Sequence, residues 1–319
     1  LSVVSQLSGL QKLCLVTCVV LFALIVLGGV VRATDSGDGC PDWPLCHGNV
    51  IPKTDKHTLI EYSHRATASV VGLLILSVAV VAWRNYRNVP RIFYPSLVAF
   101  GLVLVQGGLG GAAVLNDLAA EIVMIHLGLA LTILALVILI TTTTFDMRTP
   151  IARVASSVTT GRLAILGAAG VMGLMVIGAY VAVADYSLAC AGWPLCNGDA
   201  VPDLQATSVQ VIYGHRILAA LVGLILLALA ARTWLERPQA PAAFALAAGA
   251  LLFYAVQVFV GAANIWTEVA DEVSTLHLAF GTLLWVMLAM LNIFVHRLYE
   301  RLPRTAGETP AAGLAGVAR

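Results

Sequence analysis

Four histidines sit near the outer ends of apolar, membrane-length segments: His64, His126, His215 and His277. An ionisable side chain inside a lipid-facing segment is costly and points to function. Two imidazoles aimed at one point from facing helices suit a heme iron, which takes a nitrogen on each side while the porphyrin fills the apolar space. Arg65 and Arg216 directly follow two of the histidines and are natural partners for heme propionates. Glu61 lies three residues before His64, on the same helical face, where a partly desolvated carboxylate can move protons.

Two alternatives weigh against this reading. Histidines can serve as hydrogen-bonded helix glue, but repetition of all four in register is poorly explained that way. Zinc would need Cys or carboxylate ligands beside each histidine pair, and the sequence offers none nearby.

The elements that must position these residues are membrane helices. Of 319 residues, 60% are hydrophobic and only 11% are charged, so lipid is the expected solvent. The formal net charge of +1 gives no sign of a nucleic-acid partner. Apolar runs of bilayer-spanning length fall at residues 13–31, 63–82, 92–114, 118–140, 163–184, 211–231, 242–263 and 273–296. The first run lacks the small-residue cleavage site of a signal peptide and is read as a retained helix. All but five of the 18 basic residues (Arg32, Lys53, Lys56, Arg65 and Arg216) fall at the N-terminus, in the even-numbered turns or in the tail. That asymmetry predicts cytoplasmic termini and extracytoplasmic loops at residues 32–62 and 185–210.

The two halves repeat. Gly28, Cys40, Trp43, Cys46 and Pro52 match Gly178, Cys190, Trp193, Cys196 and Pro202 at an offset of 150. From His64-Arg65 and His215-Arg216 onward the offset is 151, through Gln106/Gln257, Gly110/Gly261, Glu121/Glu272 and His126/His277. Four spans return the chain to its starting side, so the repeats are parallel. The predicted fold is all-α: eight transmembrane helices in two parallel-repeat four-helix bundles with pseudo-twofold symmetry. Residues 1–147 form the first bundle, 148–302 the second, and 303–319 a disordered cytoplasmic tail. Small residues follow each ligand at matched positions, Ala68 and Gly72 in one half and Ala219 and Gly223 in the other, where helices or a flat ring could approach closely.

The halves also differ. Glu61 corresponds to Ile212, and Arg32 to Ala182. A charge at a helix start is the plain explanation for Glu61; its confinement to one half favours a catalytic N-terminal half and an auxiliary C-terminal half.

In the outer loops, Cys40, Cys46, Cys190 and Cys196 allow three disulfide connectivities, and the short spacing and the repeat favour Cys40–Cys46 and Cys190–Cys196. Each is a loop staple, with a redox role open for the first pair. Cys14 and Cys18 are expected to pack as apolar residues, and His47 and His57 to be solvated. Gln106 and Gln257 are candidates for interhelical hydrogen bonds, Glu121 and Glu272 for helix caps.

Together, Glu61-x-x-His64-Arg65, His126-Leu127, His215-Arg216, His277-Leu278 and the two loops containing Trp-Pro-Leu-Cys resemble the heme A synthase family, over essentially the whole chain before the tail. The resemblance implies that heme O is the substrate and that its C8 methyl is oxidised to a formyl group. It implies His64 and His126 at the substrate heme, Glu61 as the essential carboxylate, and His215 and His277 as ligands of a resident heme b that relays electrons. Cys40 and Cys46 become the redox-linked pair. Implied partners are a heme O synthase as donor and a membrane or extracytoplasmic electron donor, with a homo-oligomer left open. The competing reading is a di-heme electron-transfer cytochrome, which accounts for the histidines but not for the one-sided glutamate. A thiol–disulfide exchange protein leaves the histidines idle, and a transporter lacks visibly broken helices.

Overall fold

The computed structural model describes residues 7–52, 55–147 and 157–296. The predicted tail at 303–319 lies outside these residues. Among the described residues the chain forms eight helices and no strand: α1 Gly9–Ala33, α2 Lys56–Asn85, α3 Pro90–Leu115, α4 Ala120–Asp146, α5 Val158–Val183, α6 Thr207–Glu236, α7 Pro241–Trp266 and α8 Asp271–Val295. All eight are long and apolar enough to cross a membrane.

The helices begin where sequence supplies start signals. Ser8 and Gln11 form a capping box at α1, Asp55 accepts from the Thr58 N–H at α2, and Ser157 accepts from the Thr160 N–H at α5. Proline opens α3 and α7, where its missing N–H costs nothing. Two expectations are corrected here. Leu118 does not start α4: Asp117 and Leu118 take left-handed conformations, as do Glu268 and Val269 before α8, and the helices begin beyond these turns. Glu121 and Glu272 make no capping hydrogen bond; they sit in the first turns of α4 and α8, where the helix dipole favours a negative charge.

Within the first half α1 packs on α2, α2 on α3, α3 on α4 and α4 on α1; α5 to α8 close the same ring. The second and fourth helices of each ring are therefore diagonal, facing one another across the bundle. The halves meet through α1 with α8, α4 with α5, and α4 with α8. Buried Leu131, Leu134 and Val137 of α4 share one core with Leu284, Leu288 and Leu291 of α8. Because lipid is as apolar as this core, polar bonds help to fix helix pairing. The Trp285 indole N–H donates to the Leu131 carbonyl at 2.9 Å, and Asn292 Nδ2 donates to the Ala164 carbonyl at 2.9 Å. Gln11 Nε2 donates to the Thr144 carbonyl at 3.1 Å, and Cys18 Sγ meets Thr141 Oγ1 at 3.3 Å, so Cys18 does more than pack. Arg32 bridges the halves, one guanidinium nitrogen on Asp35 and the other on the Ala182 carbonyl.

Candidate functional site

His64 and His126 lie on α2 and α4, and His215 and His277 on α6 and α8, so each half carries its pair on diagonal helices. Every one of these rings lies against a glycine of the neighbouring helix. A Cβ would stand 3.1 Å from His64 Cε1 at Gly28, 3.3 Å from His126 Cε1 at Gly110, 3.3 Å from His215 Cε1 at Gly178 and 3.0 Å from His277 Cε1 at Gly261. The glycines let α1, α3, α5 and α7 approach closely enough to hold the imidazole edges. The sequence repeat marks all four glycines, but their role emerges only from the packing.

All four Nδ1 atoms are buried without a hydrogen-bond partner. Helix glue requires a bond to the next helix, and leaving a buried donor unpaired costs about 1–3 kcal/mol. Among the described residues no three His, Cys, Asp or Glu side chains converge, so a protein-only zinc shell has no third ligand. Paired imidazoles on diagonal helices with apolar walls fit a bis-histidine heme in either half.

Gln106 reaches one of the paired residues. Its Nε2 donates to the His126 carbonyl at 3.0 Å, the interhelical bond expected of it, while its Oε1 is buried and unpartnered.

Glu61 is not an interfacial helix-start charge. Asp55 caps α2, and Glu61, a turn and a half further in, is only 4% exposed. Its Oε2 accepts from the Cys40 N–H at 2.8 Å; its Oε1 accepts from Arg65 Nε at 3.0 Å and Nη2 at 2.5 Å. Arg65 also donates through Nη1 to the carbonyls of Asp42 and Leu45 (2.7 and 2.8 Å), and through Nη2 to that of Cys40 at 2.6 Å. These bonds engage all five guanidinium donors. Arg216 makes the matching bonds to Gly192, Leu195 and Cys190 at 2.7, 3.1 and 2.7 Å. Ile212 offers it no carboxylate, so its Nε and one Nη2 hydrogen are not drawn into such a pair.

Both arginines thus clasp the cysteine loops. The disulfides Cys40–Cys46 and Cys190–Cys196 are formed, each six residues apart. Trp43 lies on Gly111 of α3, whose Cβ would fall 2.8 Å from the indole, whereas Trp193 stacks edge-on with Trp266 at 6.0 Å. His47 and His57 are exposed as expected, but each is tied to the first loop, His47 Nε2 to the Gly39 carbonyl at 3.0 Å and His57 Nδ1 to Ser36 Oγ at 3.1 Å.

The fold and site define a multi-pass helical membrane protein with one histidine pair on diagonal helices in each half and a disulfide loop beside each pair. Residues 11–289 match the family model COX15-CtaA, cytochrome oxidase assembly protein, and the chain belongs to that family. It is similar to proteins named "Heme A synthase": 34% identical over 225 residues to that of Shouchella clausii, covering 69% of this chain and 75% of that protein. It is 31% identical over 287 residues to that of Alkalihalophilus pseudofirmus, covering 88% and 96%. The relative from Symbiobacterium thermophilum is 35% identical over 267 residues, covering 80% and 85%.

Proposed function

We propose that this chain is an oxidoreductase that converts heme O to heme A. Two hydroxylations of the C8 methyl, each consuming one O2 with two protons and two electrons from an external donor and releasing one water, give a hydroxymethyl group and then a geminal diol, whose loss of water leaves the formyl group. His64 and His126 would hold the substrate heme, and His215 and His277 would hold a resident heme b. The observation that supports this best is the repeated pair of imidazoles on diagonal helices, each ring seated against a glycine of the neighbouring helix. When bound there, heme b would supply one-electron transfer between an external donor and the first half.

Glu61 is the residue that separates the halves chemically. Its Oε1 is held by two Arg65 donors, whereas Oε2 meets only a neutral backbone amide. Oε2 is therefore the atom that takes up and hands on protons as methyl hydrogens are replaced. Arg216 binds a heme propionate through its remaining donors; Arg65 does so only by releasing a loop bond. The Cys40–Cys46 pair shapes the loop over the substrate site and is the candidate redox pair. Both termini are cytoplasmic and the cysteine loops extracytoplasmic. A heme O synthase delivers the substrate, the electron donor is membrane-bound or extracytoplasmic, and assembly into a homo-oligomer is compatible with this arrangement.

Co-expression with a heme O-producing enzyme, followed by acid extraction and mass analysis of the hemes, tests the reading. Heme A or its hydroxymethyl precursor, absent in Glu61→Gln, is the expected result. Heme b with unchanged heme O, under a supply of oxygen and electrons, would instead assign an electron-transfer cytochrome.

A further inference from the structure

The two halves differ at the seam between the second and third helices of each bundle. In the C-terminal half Tyr254 of α7 reaches across to α6 and donates its hydroxyl to the Ala219 carbonyl at 2.7 Å. Its ring rests on Gly223, where a Cβ would lie 2.5 Å from Tyr254 Oη and 2.8 Å from Cζ. Ala219 and Gly223 follow His215 by one and two turns on the same face, so this contact closes the wall directly beside the histidine.

The first half keeps the seat and lacks the tyrosine. Ala68 and Gly72 stand where Ala219 and Gly223 do, but Val103 occupies the place of Tyr254. A Cβ at Gly72 would find Val103 Cγ1 at 3.8 Å as its nearest neighbour, an ordinary contact, and valine has no hydrogen to donate. Further along the same helix, Gly107 and Gly108 replace Val258 and Phe259, and a Cβ at either glycine would meet nothing within 4 Å.

We infer that Tyr254 is a latch that retains a resident heme in the C-terminal half, and that the unlatched α2–α3 seam is where the substrate heme exchanges with the bilayer. The inference rests on the heme assignment proposed above. A flat, apolar tetrapyrrole can pass between two helices from lipid only if they part. Parting α6 from α7 strands the Tyr254 hydroxyl where no water replaces its acceptor. Parting α2 from α3 at Val103 breaks only van der Waals contact.

The test uses the full chain in lipid nanodiscs, loaded with heme b and heme O, and follows loss of each to excess apomyoglobin by mass. Tyr254→Phe keeps the ring on Gly223 and removes the bond; heme b should leave about fivefold faster, the factor expected for one neutral hydrogen bond. Val103→Tyr should slow both uptake and release of heme O by a similar factor and leave heme b unchanged. Heme b loss at the wild-type rate in Tyr254→Phe overturns the latch, as does wild-type exchange of heme O in Val103→Tyr. If the wild type binds neither heme at its histidines, the functional assignment itself fails and takes the latch with it.

Discussion

The Cys40 amide donates to Glu61 Oε2 at 2.8 Å, so the carboxylate next to the proposed substrate ligand also holds the first cysteine of the loop above it. Loop shape and proton handling thus share one side chain, through a bond that has no counterpart at Ile212.

Breaking this arrangement should show in stability as well as in turnover. Arg65→Ala leaves the buried Glu61 carboxylate with only one amide, and an uncompensated buried charge costs about 3–5 kcal/mol. Thermal unfolding of the N-terminal half, followed through its bound heme, should fall markedly, whereas Arg216→Ala should have a smaller effect. Equal destabilisation by the two substitutions would rule out a special Glu61–Arg65 pair.

The glycine seats rank themselves by distance. Alanine at Gly261 or Gly28 puts a methyl 3.0 or 3.1 Å from an imidazole carbon, against 3.3 Å at Gly110 and Gly178. Overpacking of this kind costs about 1–3 kcal/mol. Gly261→Ala and Gly28→Ala should therefore broaden or shift the heme absorbance bands and lower heme content more than the other two. Identical spectra in all four variants would show that the rings yield freely.

Reduction should affect the loops unequally. Both arginines hold three loop carbonyls, but only the first loop has the additional Cys40–Glu61 bond. After mild reduction, Cys40 and Cys46 should alkylate more slowly than Cys190 and Cys196 as read by peptide mass, and Glu61→Gln should narrow the gap. Faster alkylation of the first pair in the wild type would contradict the clasp.

Acid should loosen the first loop alone. The Gly48 and His47 amides donate to Asp42 at 2.7 and 2.5 Å and hold its carboxyl below its ordinary value. A depressed folded-state pKa means the bond contributes above the unfolded value, near pH 4, and is lost as pH falls through the lower folded one. The second loop has Gly192 at that position, and Asn197 bonds the backbone of Ala191 and Ala189 instead. Pepsin cleavage of the first loop relative to the second should rise on acidification below about pH 4, and Asp42→Asn should remove the dependence. A constant ratio would mean that Asp42 does not hold the loop.

Much of this site was legible because charged and polar residues are rare in membrane helices and therefore conspicuous. The eight spans and the four histidines follow from composition and register alone. Helix ends were less visible: residues 56–62 are too polar to extend an apolar run, yet Asp55 caps a helix that includes them. Burial of Glu61 was hidden for the same reason. The partners of Arg65 could not be read at all, because three of them are backbone carbonyls, which every sequence position carries. Gly223 reads as a small residue for close approach, and only the structure shows that Tyr254 is what approaches.

Arg32 extends toward the carbonyl of Ala182, the residue that stands at its own place in the second repeat. If two identical copies met in this way, arginine would confront arginine and two cations would compete for one spot. With alanine in one copy the charge is seated once, and its direction distinguishes the partners. This pairing therefore accepts a duplicated unit only when the duplicates have diverged, and it joins the copies as unlike mates.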